Sequence, residues 1–455
     1  PSGVYGLITG FSIGFGGQRV FGAGPTNNIV PTAVKGTKFK RLSGIVSPLI
    51  LIAGDNGIFE GFSFDNNNAV NAICVNITAN GLYVRDLDFY NQTGGEVSLW
   101  LDTVNTSNYY NINVVNMRIT QTLYTNFYGF GFSGGLPGNV LYINGLASAG
   151  AEGCQHLNFF GIWLENSSNT SSIRLDDNVT NCHFFDIRGE IAATMATAIV
   201  AINGDQTASG SYLCRNITFD GFVFSITSGI YGDAVPYFNI NNAQNISIRN
   251  AYFKDTFSVA GLKYIVLDRV RFFEIDNAFA YGGNTYNFIY CNSNCQFLMA
   301  KNCNQFESNV GTMVWRGSVI TVENTNMAQA FVTGADTIIM NNVSGTINLT
   351  NSTGQTLINS GATNIPADGS LVQIGNGSVR TGVATVASAT NLILTGVATY
   401  FVVTGTTNIT SIASGSTIIG RNVTLEFADV LTVTDGNNLK LAGNFATTAG
   451  DTLTL

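Results

Sequence analysis

The chain contains the stretch Leu157-Asn-Phe-Phe-Gly-Ile-Trp-Leu-Glu165 and, further along, the matching stretch Cys182-His-Phe-Phe-Asp-Ile-Arg-Gly-Glu190. In these two lines of sequence the apolar residues fall at the same positions, and a fixed period of this kind is the signature of a repeat protein. Within each line the apolar residues alternate as they do along a strand, with a break at the fifth position. We therefore predict that the two lines are neighbouring coils and that their outward side chains stack as well.

Variants of this skeleton recur between Gly57 and Gly345, with coil starts at irregular intervals. The clearest copies are 82–89 and 246–253. No long amphipathic helical pattern separates them, which argues against folds in which helices connect parallel strands. The pattern predicts an all-β solenoid whose length variation falls in lateral loops.

The composition suits such a rod. Of the 455 residues only 11% are charged although 45% are apolar, so the surface must be rich in Asn, Thr, Ser and Gly. Asparagine fits turns, and small hydroxyl side chains fit outward strand positions. No uninterrupted apolar run reaches membrane length, so we expect no membrane insertion. The net charge of −8 argues against nucleic acid as a partner.

The seven cysteines follow no metal-binding spacing. Cys182 and Cys303 fall on inward positions of the repeat, and Cys291 and Cys295 stand apart as a pair. We predict buried free thiols, which implies assembly in a reducing cytoplasm. We expect no metal and no cofactor; Asp176-Asp177-Asn178 is interpreted as a polar turn.

Changes in pattern divide the chain into four parts. We predict an N-terminal cap over 1–55, the solenoid over 56–345, end coils or a linker over 346–389, and a separate C-terminal β domain over 390–455. The last part has its own alternating strands and turn signals such as Thr434-Asp-Gly-Asn-Asn438. Because the chain begins with Pro-Ser and stops within a strand-like run, we expect a fragment of a longer protein.

The coils between Gly57 and Gly345, with their x-Asn-hydrophobic-x-hydrophobic-Asn pattern, resemble the right-handed parallel β-helix of phage tailspikes and pectate-lyase-like proteins. The tail, from Ile409-Thr-Ser-Ile through Ala449-Gly-Asp-Thr-Leu, is similar to the C-terminal domain that trimerises many tailspikes. The resemblance implies a homotrimer on the virion tail, assembled in the host cytoplasm and attached through a missing N-terminal domain. It also implies a protein that binds, and usually cleaves, a bacterial capsular or O-antigen polysaccharide. It is specific for the fold and weak for chemistry, because one scaffold supports many sites.

The candidate chemistry lies at outward positions of the two opening lines. There we expect Trp163 and Glu165, then Arg188 and Glu190, with small residues on both sides. The flanking residues are Ala147 and Ala149 one coil earlier and Val223 and Ser225 one coil later. Glycoside hydrolysis needs one protonated and one ionised carboxyl group, so Glu165 and Glu190 are the leading catalytic pair. Arg188 and Trp163 would bind the sugar, the indole by stacking.

Other residues compete for these roles. Asp186 at the turn of the second line, Asp205 in the insertion 190–214, and Asp220 on the next coil are alternative catalytic carboxylates. His183, predicted near Asp220, could instead act as the base of a polysaccharide lyase together with Arg188 or Arg215. Aromatic residues of the insertion 122–135, Tyr128 among them, could stack on sugars or pack against the rod. A non-catalytic receptor-binding or structural tail protein remains the alternative from another class.

Overall fold

The structure is a computed structural model of the whole chain. It describes residues 3–7, 10–14, 16–22, 37–42, 47–67, 72–90, 97–114, 117–133, 139–146, 153–165, 171–191, 198–207, 210–226, 235–255, 263–281, 286–293, 295–306, 311–333, 335, 337–350, 355–359, 362–364, 372–374, 383–394, 400–414 and 422–455. The chain forms two compact units, Pro1–Asn364 and Ile365–Leu455.

All regular elements of the described residues are strands. Those of the first unit are β1 (Gly3–Leu7), β2 (Phe11–Ile13), β3 (Arg19–Phe21), β4 (Thr37–Arg41), β5 (Ile50–Ile52), β6 (Ile58–Asp65), β7 (Ile73–Ile77), β8 (Tyr83–Tyr90), β9 (Val97–Asp102), β10 (Asn108–Val114), β11 (Met117–Thr120), β12 (Asn126–Ser133), β13 (Asn139–Asn144), β14 (Cys154–Glu165), β15 (Ser171–Asp176), β16 (Val179–Ile191), β17 (Ala198–Asn203), β18 (Asp205–Thr207), β19 (Gly210–Tyr212), β20 (Cys214–Ile226), β21 (Phe238–Asp255), β22 (Lys263–Val270), β23 (Phe272–Tyr281), β24 (Tyr286–Ser293), β25 (Cys295–Lys301), β26 (Asn304–Phe306), β27 (Gly311–Glu323), β28 (Asn326–Thr333), β29 (Thr337–Asn341), β30 (Ser344–Thr350), β31 (Gln355–Asn359) and β32 (Ala362–Asn364). Those of the second unit are β33 (Val372–Ile374), β34 (Val383–Ala387), β35 (Asn391–Leu394), β36 (Tyr400–Thr404), β37 (Ser411–Ser414), β38 (Thr424–Phe427), β39 (Thr432–Val433), β40 (Phe445–Ala446) and β41 (Thr452–Thr454).

The strands of the first unit, apart from the hairpin β18–β19, belong to one continuous sheet in which each strand pairs in parallel with its counterpart one coil away. The predicted fold class, an all-β right-handed parallel β-helix, is confirmed. In the described part of the chain no helix is long and apolar enough to cross a membrane.

The coil of 171–191 contains three strand segments separated by residues with left-handed backbone. β15 forms the first segment and ends before Asp177 and Asn178, whose φ angles are 48° and 49°. β16 then bends at Asp186, where φ is 52°. We call the outer surfaces of the three segments the first face (171–176), the second face (182–185) and the third face (187–191), and use the same names for the equivalent segments of other coils.

The core consists of side chains that stack from rung to rung. Phe159 lies 4.4 Å from Phe127 and 4.7 Å from Phe184, and Phe184 lies 4.7 Å from Phe219, all with nearly parallel rings. These rings are fully buried. The seven cysteines are all buried and free, as predicted.

The coil layout differs from the predicted one in two ways. The repeat pattern predicts that 112–119 forms one coil segment, whereas its described residues belong to the end of β10 and to β11, which lie on different faces. The stretch 122–135 was expected to be a lateral insertion, but its described part contains β12, which pairs with β14. The parallel sheet starts at Gly3, where β1 pairs with β4.

The second unit has its own core, centred on Leu392, Phe401, Val403, Leu425 and Phe427. Strands β34, β36 and β38 pair in parallel, as do β35 and β37. The chain then ends in antiparallel pairs, β38 with β41 and β39 with β40. The unit begins at residue 365.

Candidate functional site

The strand register places the two opening lines of sequence on neighbouring rungs. β14 pairs with β16 so that Trp163 lies opposite Arg188 and Glu165 lies opposite Glu190. The alignment predicted from the repeat is therefore confirmed along this pair of strands. Neighbouring strands lie about 4.8 Å apart, so the two glutamates start from adjacent backbone positions on the third face.

The third face around this pair is open to solvent. Trp163 is 45% exposed, and both Arg188 and Glu190 are exposed. The Arg188 Nε donates a hydrogen bond to the Asp186 carboxylate at 3.0 Å. Because both side chains of this ion pair are more than half exposed, the pair contributes at most about 1 kcal/mol. Arg188 can therefore change partners at little cost.

Small residues flank the pair on both sides, but not all of them are the predicted ones. On the following rung Val223 lies opposite Arg188 and Ser225 lies opposite Glu190, as predicted. On the preceding rung the register places Gly131 and Ser133 there. Ala147 and Ala149, which were expected in those positions, lie outside the described residues.

Two of the alternative carboxylates lie close to this site. Asp186 occupies the left-handed bend between the second and third faces, as the sequence suggested, and is bound to Arg188. Asp220 lies opposite Phe185 on the second face, where its carboxylate accepts a hydrogen bond from the Asn250 amide at 2.6 Å. Asp220 therefore takes part in a polar contact between rungs.

Asp205 lies elsewhere. It begins β18, which pairs with β19 in an antiparallel hairpin that follows the first-face strand β17. Asp177 lies in the turn that precedes β16. Burial, and after it the charges of Asp176 and Asp205, raise the pKa of Asp177, and this effect places Asp205 close to the same turn. Glu190 lies near the other end of β16. The fold therefore does not bring Asp205 together with the glutamate pair, and the described residues contain no cluster of three or more potential metal ligands.

His183 lies on the second face and is half-buried. Its rung neighbours are Asn158 and Thr218, and not Asp220 as the sequence suggested, because Asp220 lies further along its strand. Burial, and after it the nearby His156, lower the pKa of His183, so the imidazole is neutral at neutral pH. A neutral imidazole can accept a proton.

Tyr128 is part of a ladder of outward rings on the second face. Its ring is stacked between Tyr110 at 4.7 Å and Phe160 at 4.9 Å, and Phe160 stacks in turn on Phe185 at 5.1 Å. Both faces of the Tyr128 ring are therefore covered. It can offer a sugar its edge, but not the open face expected of a residue on a loop.

The sequence interpretation missed a second cluster, on the first face. Trp100, Arg118, Tyr142 and Arg174 follow one another on successive rungs of β9, β11, β13 and β15. Each lies between two buried apolar residues, as in Met117-Arg118-Ile119. This recurring triplet was the signal that could have located the cluster.

A scan against protein-family models and a search of curated proteins give no match. Solved structures similar to this chain include the catalytic domain of a GH87 alpha-1,3-glucanase in complex with tetrasaccharides, which is 15% identical with a TM-score of 0.40 over 83% of this chain and 63% of that chain. A tailspike protein mutant of E. coli bacteriophage HK620 in complex with a pentasaccharide is 10% identical with a TM-score of 0.40 over 80% of this chain and 72% of that chain. PfbA, a surface adhesin of Streptococcus pneumoniae, is 8% identical with a TM-score of 0.37 over 70% of this chain and 80% of that chain. The chain thus spans less than two thirds of the glucanase domain, and similarities at this level define none of its catalytic or binding residues.

Proposed function

We propose that this chain is the β-helical body of a phage tailspike that binds a bacterial capsule or O-antigen and hydrolyses it as a homotrimer on the virion tail. The observation that carries the proposal is the register of β14 and β16. It sets Glu165 opposite Glu190 beside the exposed Trp163 and Arg188.

Two carboxyl groups on neighbouring rungs suit acid–base hydrolysis of a glycosidic bond. In such a reaction one carboxyl group donates a proton to the leaving group, while the other acts as nucleophile or base. A separation near 5 Å favours a covalent intermediate and retention of configuration, and a wider one favours inversion.

The neighbouring side chains supply binding groups. Trp163 is exposed enough for one ring face to contact a sugar. Arg188 can turn from Asp186 towards a sugar hydroxyl or carboxylate, because its present ion pair is solvent-exposed. Asp186 and Asp220 remain the alternative carboxylates within reach of this region, whereas Asp205 lies near the other end of β16.

The test is a digestion. The purified protein is incubated with a panel of capsular and O-antigen polysaccharides, and new reducing ends are followed together with the ultraviolet absorbance of unsaturated uronates. We expect reducing ends without absorbance. Glu165→Gln and Glu190→Gln should each lower turnover at least about 100-fold while the glycan still binds. Glu323→Gln, which changes a glutamate on another coil, is the matched control and should keep full turnover. Full turnover by both site variants would contradict the assignment.

A lyase is the second candidate, and the neutral state of His183 favours it. The lowered pKa of this imidazole allows it to abstract the proton next to a uronate carboxyl group, with Arg188 or Arg215 binding the carboxylate. In that case the reducing ends would appear together with ultraviolet absorbance, and His183→Gln would abolish both. Binding without either signal would instead identify a receptor-binding protein that does not cleave its ligand.

A further inference from the structure

The cluster on the first face alternates aromatic rings with guanidinium groups. The Arg118 Cζ lies 5.1 Å from the centroid of the Trp100 ring and 5.7 Å from that of the Tyr142 ring. The Arg174 Cζ lies 5.7 Å from the same Tyr142 ring. Arg118 is therefore held between two rings, an arrangement that removes water from both faces of the guanidinium plane.

The two rings are fixed by their own hydrogen bonds. The Trp100 indole N–H donates to the Thr120 hydroxyl at 2.9 Å, and the Asn144 amide donates to the Tyr142 hydroxyl at 2.7 Å. Burial, and after it the nearby Asp176 carboxylate, raise the pKa of Tyr142, so its hydroxyl stays neutral. The rings thus form a preorganised clamp.

Within the described part of the chain, Arg118 differs from the other members of the cluster because no hydrogen bond or ion pair involves its side chain. Arg174 donates to the Asp176 carboxylate at 2.7 Å, whereas among the described residues no acceptor or carboxylate pairs with Arg118. The Nε of Arg118 is buried without an acceptor. The nearby Asp102 carboxylate accepts a hydrogen bond from the Thr120 hydroxyl at 2.7 Å. A guanidinium group held in place without an anion is poised to receive one.

We propose that this cluster is a binding subsite for a carboxylate-bearing saccharide, so that the polysaccharide recognised by the chain is acidic. The planar guanidinium group can donate two parallel hydrogen bonds to a carboxylate, and its desolvation between the rings strengthens them. Trp100 and Tyr142 would contact the sugar on either side. The inference rests on the proposed function, because it takes the ligand to be a polysaccharide. It does not require Glu165 and Glu190 to be the catalytic pair.

The test compares an oligogalacturonate with its methyl ester, which has the same sugar ring but no charge. Binding is followed by tryptophan fluorescence in a Trp163→Phe background, so that Trp100 is the accessible reporter and Trp315 is buried. We expect the charged form to bind about tenfold or more tightly than the ester, the difference expected from charge-assisted hydrogen bonds. Arg118→Gln should abolish this preference. Arg271→Gln, which removes an exposed arginine on another coil, should retain it.

Arg118→Lys provides a second variant that keeps the charge and the alkyl chain, so the clamp stays packed, but removes the planar fork. We expect it to bind the charged form several-fold more weakly than the parent does. Failure of the parent to prefer the charged form, or full preference in both Arg118 variants, would overturn the inference.

Cleavage is followed in the same samples with the polysaccharide panel. Absence of cleavage would contradict the proposed hydrolase alone, whereas cleavage with an unchanged charge preference in Arg118→Gln would contradict the carboxylate subsite alone.

Discussion

Phe184 has one ring packed on each of its faces, Phe159 on the preceding rung and Phe219 on the following one, both at 4.7 Å. Removing its fully buried ring leaves a cavity that neighbouring coils cannot close without shifting the strands. We expect Phe184→Ala to lower the free energy of unfolding by about 3–5 kcal/mol. Urea-induced unfolding measures the loss.

Phe185 is the matched control, because it is the next residue of the same strand but is half-buried and points outward. Phe185→Ala should cost only about 1–2 kcal/mol, since less apolar surface returns to water. Equal losses in the two variants would contradict the assignment of inward and outward positions in β16, and with it the outward position of Glu190.

His183 should make stability depend on pH. Because its pKa is lowered in the folded chain, the unfolded chain binds more protons between that pKa and the ordinary value near 6.5. The free energy of unfolding should therefore be highest above about pH 6.5 and decrease as the pH falls through the lowered pKa. The chain has only two histidines, so their NMR titrations can be followed separately.

His183→Gln cannot titrate, so it should show a smaller loss of stability between pH 8 and pH 5 than the parent protein. Unfolding midpoints at both pH values would measure this difference. An NMR titration with the His183 pKa at or above 6.5, or an unchanged loss in the variant, would contradict the direction of the shift.

The sequence located the neighbours of individual residues well where the repeat length was constant. The pairing of Glu165 with Glu190 followed from the constant offset of matching residues in the two lines, because a slip of one residue would have turned apolar side chains outward. The contact between Arg188 and Asp186 was not predictable, since it depends on the path of the chain at a left-handed residue. The sequence also did not predict that the Arg118 Nε would have no acceptor among the described residues.

The bends between strand segments form an element of their own, a column of left-handed residues with hydrogen bonds between coils. The Asn277 amide donates to Asn250 at 2.7 Å, and the Asn250 amide donates at 2.6 Å to Asp220, which directly precedes the left-handed Gly221. Asparagine tolerates the left-handed conformation better than other residues with a side chain, and glycine tolerates it best. Gly161, with a φ of 65°, occupies the equivalent bend in β14, on the rung before Asp186.

Two substitutions at Asn250 separate backbone strain from hydrogen bonding. Both Asn250→Gly and Asn250→Ala remove the side-chain bonds, but only alanine must adopt a φ near 51° with a β-carbon. We expect Asn250→Ala to be less stable than Asn250→Gly by about 1 kcal/mol in urea-induced unfolding. Equal stability would mean that the backbone at this bend relaxes. In either variant the stability of the second unit should not change.

Elements were mispredicted where insertions changed the repeat length. The run Asn126-Phe-Tyr-Gly-Phe in β12 matches Asn158-Phe-Phe-Gly-Ile in β14, but at a longer offset than the one that relates β14 to β16. The extra residues fall between the two strands. Because they lengthen the repeat, the sequence pattern predicted a loop where the structure has β12. The ladder of rings around Tyr128 and the first-face cluster around Arg118 were missed for the same reason. The side chains that stack on one another can be identified only after each residue has been assigned to its rung.

At the scale of the molecule, growth along one axis explains how the first unit, Pro1–Asn364, forms one continuous core in a chain with only 11% charged residues. Each coil buries its apolar residues against the next one, so the core lengthens without becoming thicker. On the described outer surface, asparagine side chains bond from coil to coil, as in Asn245 with Asn216 and Asn277 with Asn250. Such a surface leaves the few exposed aromatic and charged side chains, Trp163 and Arg188 among them, as the groups available for recognition.

The proposed trimer gives the second unit a definite role, because this unit exposes large apolar side chains. Val430 is 66% exposed and Ile393 is 55% exposed, more than any other large apolar residue that is described. If the unit trimerises the chain, these side chains are candidates for the subunit contact, and a charge there should weaken association. Light scattering coupled to size-exclusion chromatography should show that the parent protein is a trimer. The double variant Ile393→Asp/Val430→Asp should contain a larger fraction of monomers. Thr385→Asp places the same charge at an exposed polar position of the same unit and should leave the trimer intact. A monomeric parent protein would contradict the trimer, and a double variant that stays trimeric would place the subunit contact on another surface.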